Sequence, residues 1–139
     1  MNNYSFEQMT KGLSESFEVT VTGEMMDSFR QITGDINPLH NDEQFAREKG
    51  YNGRVCYGML TASMLSTLAG VYLPGERSLI HGVEIMFAKP VMIGDRLTVK
   101  GTVYEINDDF KQITLKVEII NQNNVKVVRG KMKVGLLNE

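Results

Sequence analysis

Apolar and polar residues alternate from Phe17 to Thr22, with Phe17, Val19 and Val21 on one side and Glu18, Thr20 and Thr22 on the other. That period of two predicts a strand with one buried face. The rhythm then lengthens: Met25, Met26, Phe29 and Ile32 make one stripe of a helix over 24–32, which Thr22 is placed to cap and Gly34 to end. Asn41 is placed to cap a second short helix, with Asp42 and Glu43 in its first turn, Phe45 inward and Gly50 as its terminator. The segment 51–57 contains Asn52-Gly53 and lacks a period, so it reads as a loop.

From Gly58 to Val71 apolar residues run around most of a helical circumference, and Pro74-Gly75 closes the run. This predicts a buried helix roughly 21 Å long, about the width of a sheet of several strands. Four strands are predicted over 78–87, 95–106, 111–122 and 124–136, separated by Lys89-Pro90 with Gly94-Asp95, then Asn107-Asp108-Asp109, then Asn123-Asn124. The last three strands are expected to form an antiparallel meander. Together the elements imply an α+β architecture, an antiparallel sheet around one long central α-helix. The first residues show no such pattern, which leaves 1–12 free to be disordered.

Composition narrows the partners. With 139 residues and 42% hydrophobic content, the chain has the size of one domain, expected over 1–139, and enough apolar mass for a core. Fifteen basic and 17 acidic residues give −2 with no long run of one sign, so neither nucleic acid nor a membrane surface is an expected partner. Cys56 is the single cysteine, and 1–11 is polar with no apolar core and cleavage site, which fits a reducing, cytoplasmic setting. No apolar run approaches the ~20 residues of a membrane span.

The chemistry concentrates in Asp35-Ile36-Asn37-Pro38-Leu39-His40. The Asn-Pro pair disfavours a helix through Asn37, so Asp35 and His40 are expected on a fixed bend rather than on a helical face. A carboxylate and a neutral imidazole can hold one water and move its proton at neutral pH. Equally, Asp35 can simply cap a turn and His40 can be a hydrogen-bonded loop histidine.

Three further stretches decide between these readings: Tyr57-Gly58-Met59-Leu60-Thr61-Ala62-Ser63-Met64-Leu65-Ser66, then Lys89-Pro90-Val91, then Gly94-Asp95. With the hexapeptide, in this order and spacing, they resemble the MaoC-like branch of the hot-dog fold, specifically the R-specific enoyl-CoA hydratases, over about residues 17–136. The resemblance implies a sheet wrapped around a central helix, paired as a homodimer or a dimer of dimers. It implies hydration of trans-2-enoyl thioesters to R-3-hydroxyacyl thioesters, or the reverse dehydration, on an acyl-CoA or acyl-carrier-protein thioester. Asp35 and His40 correspond to the pair that holds the water, and Gly58 to the oxyanion donor. Ser66 and Asn37 are expected to support the pair, while Tyr57 and Met59 are expected at the acyl pocket.

Physical reasoning agrees with these roles. Attack by water at the β-carbon drives charge onto the thioester oxygen, and the unpaired N–H groups at a helix start are preorganised to receive it. Glycine also permits close approach to the backbone. One departure stands out: many family members carry histidine before Gly-Met-Leu, where this chain has Tyr57, so the acyl pocket or the approach of the pantetheine arm is expected to differ. His81 is expected to pack or hydrogen bond, and Cys56 to be a small buried hydrophobe. Arg54, Lys89, Arg96 and Lys100 are candidates for the phosphates of coenzyme A, or ordinary solvated charges.

Two histidines far apart, without Cys/His spacing, predict no metal site. No glycine-rich nucleotide motif is present either, so no cofactor is expected beyond the coenzyme A or carrier thioester of the substrate itself. Two alternatives remain at this stage: a non-catalytic acyl-thioester-binding module, and a hot-dog thioesterase. The second commonly places a carboxylate on the central helix, and 58–73 has none.

Overall fold

In a computed structural model describing residues 1–138, the N-terminal alternation forms strand β1, Ser14–Thr20. Helix α1, Gly23–Thr33, starts where expected: the Thr22 hydroxyl accepts the Met25 N–H at 3.2 Å. It ends at Gly34, whose φ of 74° lies in the left-handed region that glycine adopts without strain. Two short helices follow, α2 (Pro38–Asn41) and α3 (Glu43–Glu48), and then the central helix α4, Gly58–Thr67, which continues as a wider π turn over Leu68–Tyr72.

Strands β2 (Ser78–Phe87), β3 (Arg96–Asn107), β4 (Gln112–Ile120) and β5 (Lys126–Leu136) complete one antiparallel sheet in the order β1-β3-β4-β5-β2. The expected β3-β4-β5 meander is present, with β1 and β2 as its two edges. Period-two patterning puts Leu97, Val99, Val103, Leu115, Val117, Met132 and Val134 on the inner face, all buried. Against them lie Leu60, Leu65 and Leu68 of the helix. Each such fully buried leucine contributes about 1.5–3 kcal/mol through the area it removes from water. This sheet wrapped around a helix is the hot-dog arrangement.

Close approach is bought with small residues at two places. A Cβ at Gly101, in the middle of β3, would lie 2.9 Å from Leu68 Cδ2, so glycine lets the helix sink onto the sheet. A Cβ at Gly130 in β5 would overlap the Glu84 carbonyl oxygen and the backbone of Ile85 on β2.

Three expectations change. The central helix is not buried all round: Met59 is 64% exposed, and Ser63 and Ser66 are exposed on the same side, because the sheet of a single chain covers only the other side. Asn41 does not cap α3; Asp42 does, its Oδ1 accepting the Phe45 N–H at 3.1 Å. His40 lies on a helical turn rather than an open bend, because proline is disfavoured inside a helix yet suits its first position. Asn37, the residue that Pro38 keeps out of the helix, caps that turn instead.

Residues 1–12 run along the end of the central helix. The Asn2 N–H donates to the Val71 carbonyl at 2.8 Å, the Glu76 N–H donates to the Asn2 carbonyl at 2.9 Å, and Met9 is buried. No helix among the described residues is long and apolar enough to cross a membrane.

The β2–β5 contact is the most sterically exacting in the sheet. Gly130→Ala is expected to lower the unfolding free energy by about 1–3 kcal/mol or more, as overpacking does, measured by chemical denaturation with β2 amide exchange as the local readout.

Candidate functional site

The motif loop is built by short-range hydrogen bonds between side chains and backbone. Thr33 Oγ1 donates to the Phe29 carbonyl at 2.8 Å and accepts the Asp35 N–H at 3.1 Å. Asp35 Oδ1 accepts the Asn37 N–H at 3.0 Å, and Asn37 Oδ1 accepts the Leu39 N–H at 2.9 Å. The Asp, the Asn and the Pro of the hexapeptide therefore have separate geometric duties: two Asx turns in succession, then a pre-set φ for α2. The Asp35 side chain remains exposed at the surface of the loop.

His40 is held by both its ring and its backbone. Its Nδ1 lies 2.7 Å from the Val55 carbonyl. A carbonyl can only accept, so Nδ1 carries the proton, and in the neutral ring Nε2 is left as the basic nitrogen. The backbone is fixed by Arg54, whose Nε donates to the His40 carbonyl at 2.7 Å while its Nη2 lies 3.7 Å from Asp27 Oδ1. The chain returns the contact through the Val55 N–H, which donates to the Leu39 carbonyl at 3.1 Å.

His40 and Gly58 line one cleft of about 250 Å³, with Thr61, Phe87, Lys89 and Val91 among its walls. Gly58 is the first residue of α4, so its N–H has no acceptor within the helix. A Cβ there would come 3.2 Å from the Phe87 ring, which gives the glycine a packing reason beside its exposed backbone. Cys56 lies in the wall, buried, with its sulfur 3.5 Å from Thr61 Oγ1. Burial pushes its thiol pKa up, with the Thr61 contact opposing.

Other expected residues fall elsewhere. Tyr57, expected at the acyl pocket, is 2% exposed and faces the motif loop from behind. Its ring lies 4.3 Å from His40 and 4.9 Å from Phe29. Met59 and Ser66 lie on the open side of α4, away from the loop's hydrogen bonds. Asn37 supports the loop directly, as its cap bond shows. Of the basic residues, Arg54 is engaged beneath His40, Lys89 lines the cleft, and Lys100 lies on the outer face of the sheet. A larger hollow of about 700 Å³ opens on that outer face among Lys100, Lys116 and Lys131, but neither Asp35, His40 nor Gly58 reaches it. His81 is hydrogen bonded to Gln112 at 2.7 Å, as a structural histidine would be. Among the described residues no group of three or more His, Cys, Asp or Glu is placed to hold a metal ion.

Two participants carried no signal in the sequence. Val55 acts through its carbonyl, which any residue supplies. Asn41 read as a helix cap, yet its amide joins three parts of the site, donating to the Asn37 carbonyl at 2.9 Å and to the Tyr57 hydroxyl at 2.9 Å while accepting from Arg30 Nη1 at 2.9 Å.

A hot-dog sheet with a fixed imidazole and a helix N-terminus lining one cleft, and Asp35 exposed on the adjoining loop, defines the class. Residues 6–125 match the family described as MaoC like domain, and the chain belongs to that family. It is 35% identical to an (R)-specific enoyl-CoA hydratase of Aeromonas caviae over 109 residues, 78% of this chain and 81% of that one. With an (R)-specific enoyl-CoA hydratase of Rhodospirillum rubrum it shares 30% identity over 93% of this chain and 89% of that one. The unliganded R-hydratase PhaJ1 of Pseudomonas aeruginosa superimposes with a TM-score of 0.93 at 25% identity, covering 99% of this chain and 88% of that one.

The buried thiol gives a pH signature. Because the folded pKa of Cys56 is raised, the folded state keeps a proton that the unfolded state releases above about 8.5. That stability is complete below the unfolded value and is lost as pH rises through the folded one. Cys56→Ala is therefore expected to be less stable than the parent at neutral pH, with the gap narrowing at alkaline pH, as read by denaturation at a series of pH values.

Proposed function

We propose that this protein hydrates trans-2-enoyl thioesters to R-3-hydroxyacyl thioesters, or runs the same reaction in reverse. The observation that carries the reading is the His40 ring, fixed by Val55 with Nε2 as its basic nitrogen in the cleft that the Gly58 end of α4 also lines. Family membership and the two R-specific hydratases that align over most of the chain support it.

The roles follow from chemistry. The thioester carbonyl accepts the Gly58 N–H, and the helix dipole of α4 favours the negative charge that grows there. A water shared by Asp35 and His40 Nε2 gives up a proton to the imidazole as its oxygen bonds to the β-carbon. The proton then passes to the α-carbon, so water adds across the double bond and every group returns to its starting charge. This acid-base route uses no cofactor beyond the coenzyme A or carrier arm of the substrate. Lys89 at the cleft wall is suited to a phosphate of that arm. The lone buried thiol suits the reducing cytoplasm.

We also infer that the working form pairs two copies through β2. This ten-residue strand is a sheet edge that pairs with β5 on one side and with no strand among the described residues on the other, and Val83 and Phe87 on it are about half exposed. A second β2 alongside would satisfy that edge and cover the open Met59, Ser63 and Ser66 side of α4. Val83→Lys is expected to shift the protein toward monomer in sedimentation velocity.

Crotonyl-CoA and longer enoyl-CoA or carrier-bound substrates test the activity through loss of enoyl absorbance, with chiral analysis of the product. Asp35→Asn and His40→Ala are each expected to lower kcat by about 10²–10⁴-fold, the range for general acid-base groups. Release of free thiol with the double bond intact would support a thioesterase instead, and binding without turnover would leave an acyl-thioester-binding module.

A further inference from the structure

Tyr57 is among the largest fully buried side chains of the core, yet its hydroxyl group meets two polar groups of the motif loop. It donates to the Asp35 carbonyl at 2.5 Å, across 22 residues of chain, and accepts from Asn41 Nδ2 at 2.9 Å. The direction of each bond is dictated by the one before it. Arg30 has only donors, so its 2.9 Å contact turns the Asn41 oxygen toward α1. The Asn41 NH₂ group must then face the loop, where it meets the Asn37 carbonyl and the Tyr57 oxygen. With that oxygen receiving a proton, the tyrosine's own proton is aimed at the Asp35 carbonyl.

This relay spans the three parts of the candidate site. Arg30 stands on α1, Asn41 closes the turn that carries His40, and Tyr57 immediately precedes Gly58. The ring face of Tyr57 packs 4.3 Å from the His40 ring, while its hydroxyl holds the backbone of Asp35. One side chain therefore contacts the acid-bearing residue and the base, and is covalently joined to the oxyanion donor.

We propose that Tyr57 is the positioning residue of this site, holding Asp35, His40 and Gly58 in mutual register through its hydroxyl and ring face. It touches no substrate. The catalytic consequence rests on the hydratase reading above; the clamp itself does not. The tyrosine that departs from the histidine-Gly-Met-Leu pattern thus acts behind the pocket, where the sequence suggested it would act inside it.

The test is Tyr57→Phe, which keeps the ring and deletes the hydroxyl group. Amide hydrogen exchange of Asn37, Leu39 and His40 is expected to accelerate about tenfold or more, corresponding to loss of about one buried hydrogen bond, while amides of β3 and β4 hold their parent rates. With crotonyl-CoA, kcat is expected to fall about tenfold or more and KM to stay within about twofold, since misplacement acts on the transition state. In the Asn41→Ala background the same change is expected to add less than in the parent, because the two groups act as one unit. Unchanged loop exchange would overturn the proposal, as would acceleration spread evenly over the sheet, which marks a core residue only. Accelerated loop exchange with unchanged kcat would overturn the positioning role. Should the parent turn over no enoyl thioester, the hydratase reading fails, and the exchange result alone decides whether the clamp exists.

Discussion

The architecture rests on how deeply the central helix sinks into the sheet. Leu68 meets β3 where Gly101 has no side chain, and around that contact Leu65, Ala69 and Leu73 are buried against inner residues such as Val99, Leu115 and Met132. Everything functional is referred to this packing. It sets the position of Gly58 at the helix start, and through Tyr57 it sets the loop before it. The N-terminal strap and the edge strand β1 then close over the far end, where Phe17 stacks on Tyr72 at 4.9 Å.

Much of this was legible from spacing. The Thr22 cap and Gly34 stop of α1 announced themselves by residue type, and β2 fell on 78–87 as its pattern indicated. Alternation in β3 and β4 was clean because one face meets the helix and the other meets water. Where structure and pattern differ there is a common physical cause: residue type reports a single position, and burial and helix boundaries depend on its neighbourhood. Proline kept Asn37 out of a helix but began one itself. The apolar circumference of α4 suggests burial all round, whereas the one-chain sheet covers one side and leaves Met59 in the open.

The site divides along the same line. Asp35, Asn37, His40 and Gly58 were nameable because their chemistry is carried by side-chain type or by the absence of one. The groups that orient them were not. Val55 contributes a carbonyl, Arg30 contributes the sense of an amide, and neither role leaves a mark on residue identity. Tyr57 was conspicuous as a departure, but its rotamer decides which side of the site it serves, and that follows from the space between Phe29 and His40. Directional hydrogen bonds explain the arrangement: the Asn41 amide, the Tyr57 hydroxyl and His40 Nδ1 each meet a partner that fixes their orientation.

The fastening of the loop has a consequence for how such a protein can diversify. Asp35 and His40 are tied to α1, to Val55 and to Tyr57, whereas cleft walls such as Phe87 and Val128 belong to the edges and ends of the sheet. His40 and Gly58 line the cleft from the helix side, and Phe87 and Val128 close it from the sheet side on separate pieces of backbone. On the proposed reading, sheet-side substitutions reshape the cleft through residues that make none of the hydrogen bonds holding Asp35 and His40, so a lineage built on this plan can change the acyl group it accepts while keeping its chemistry.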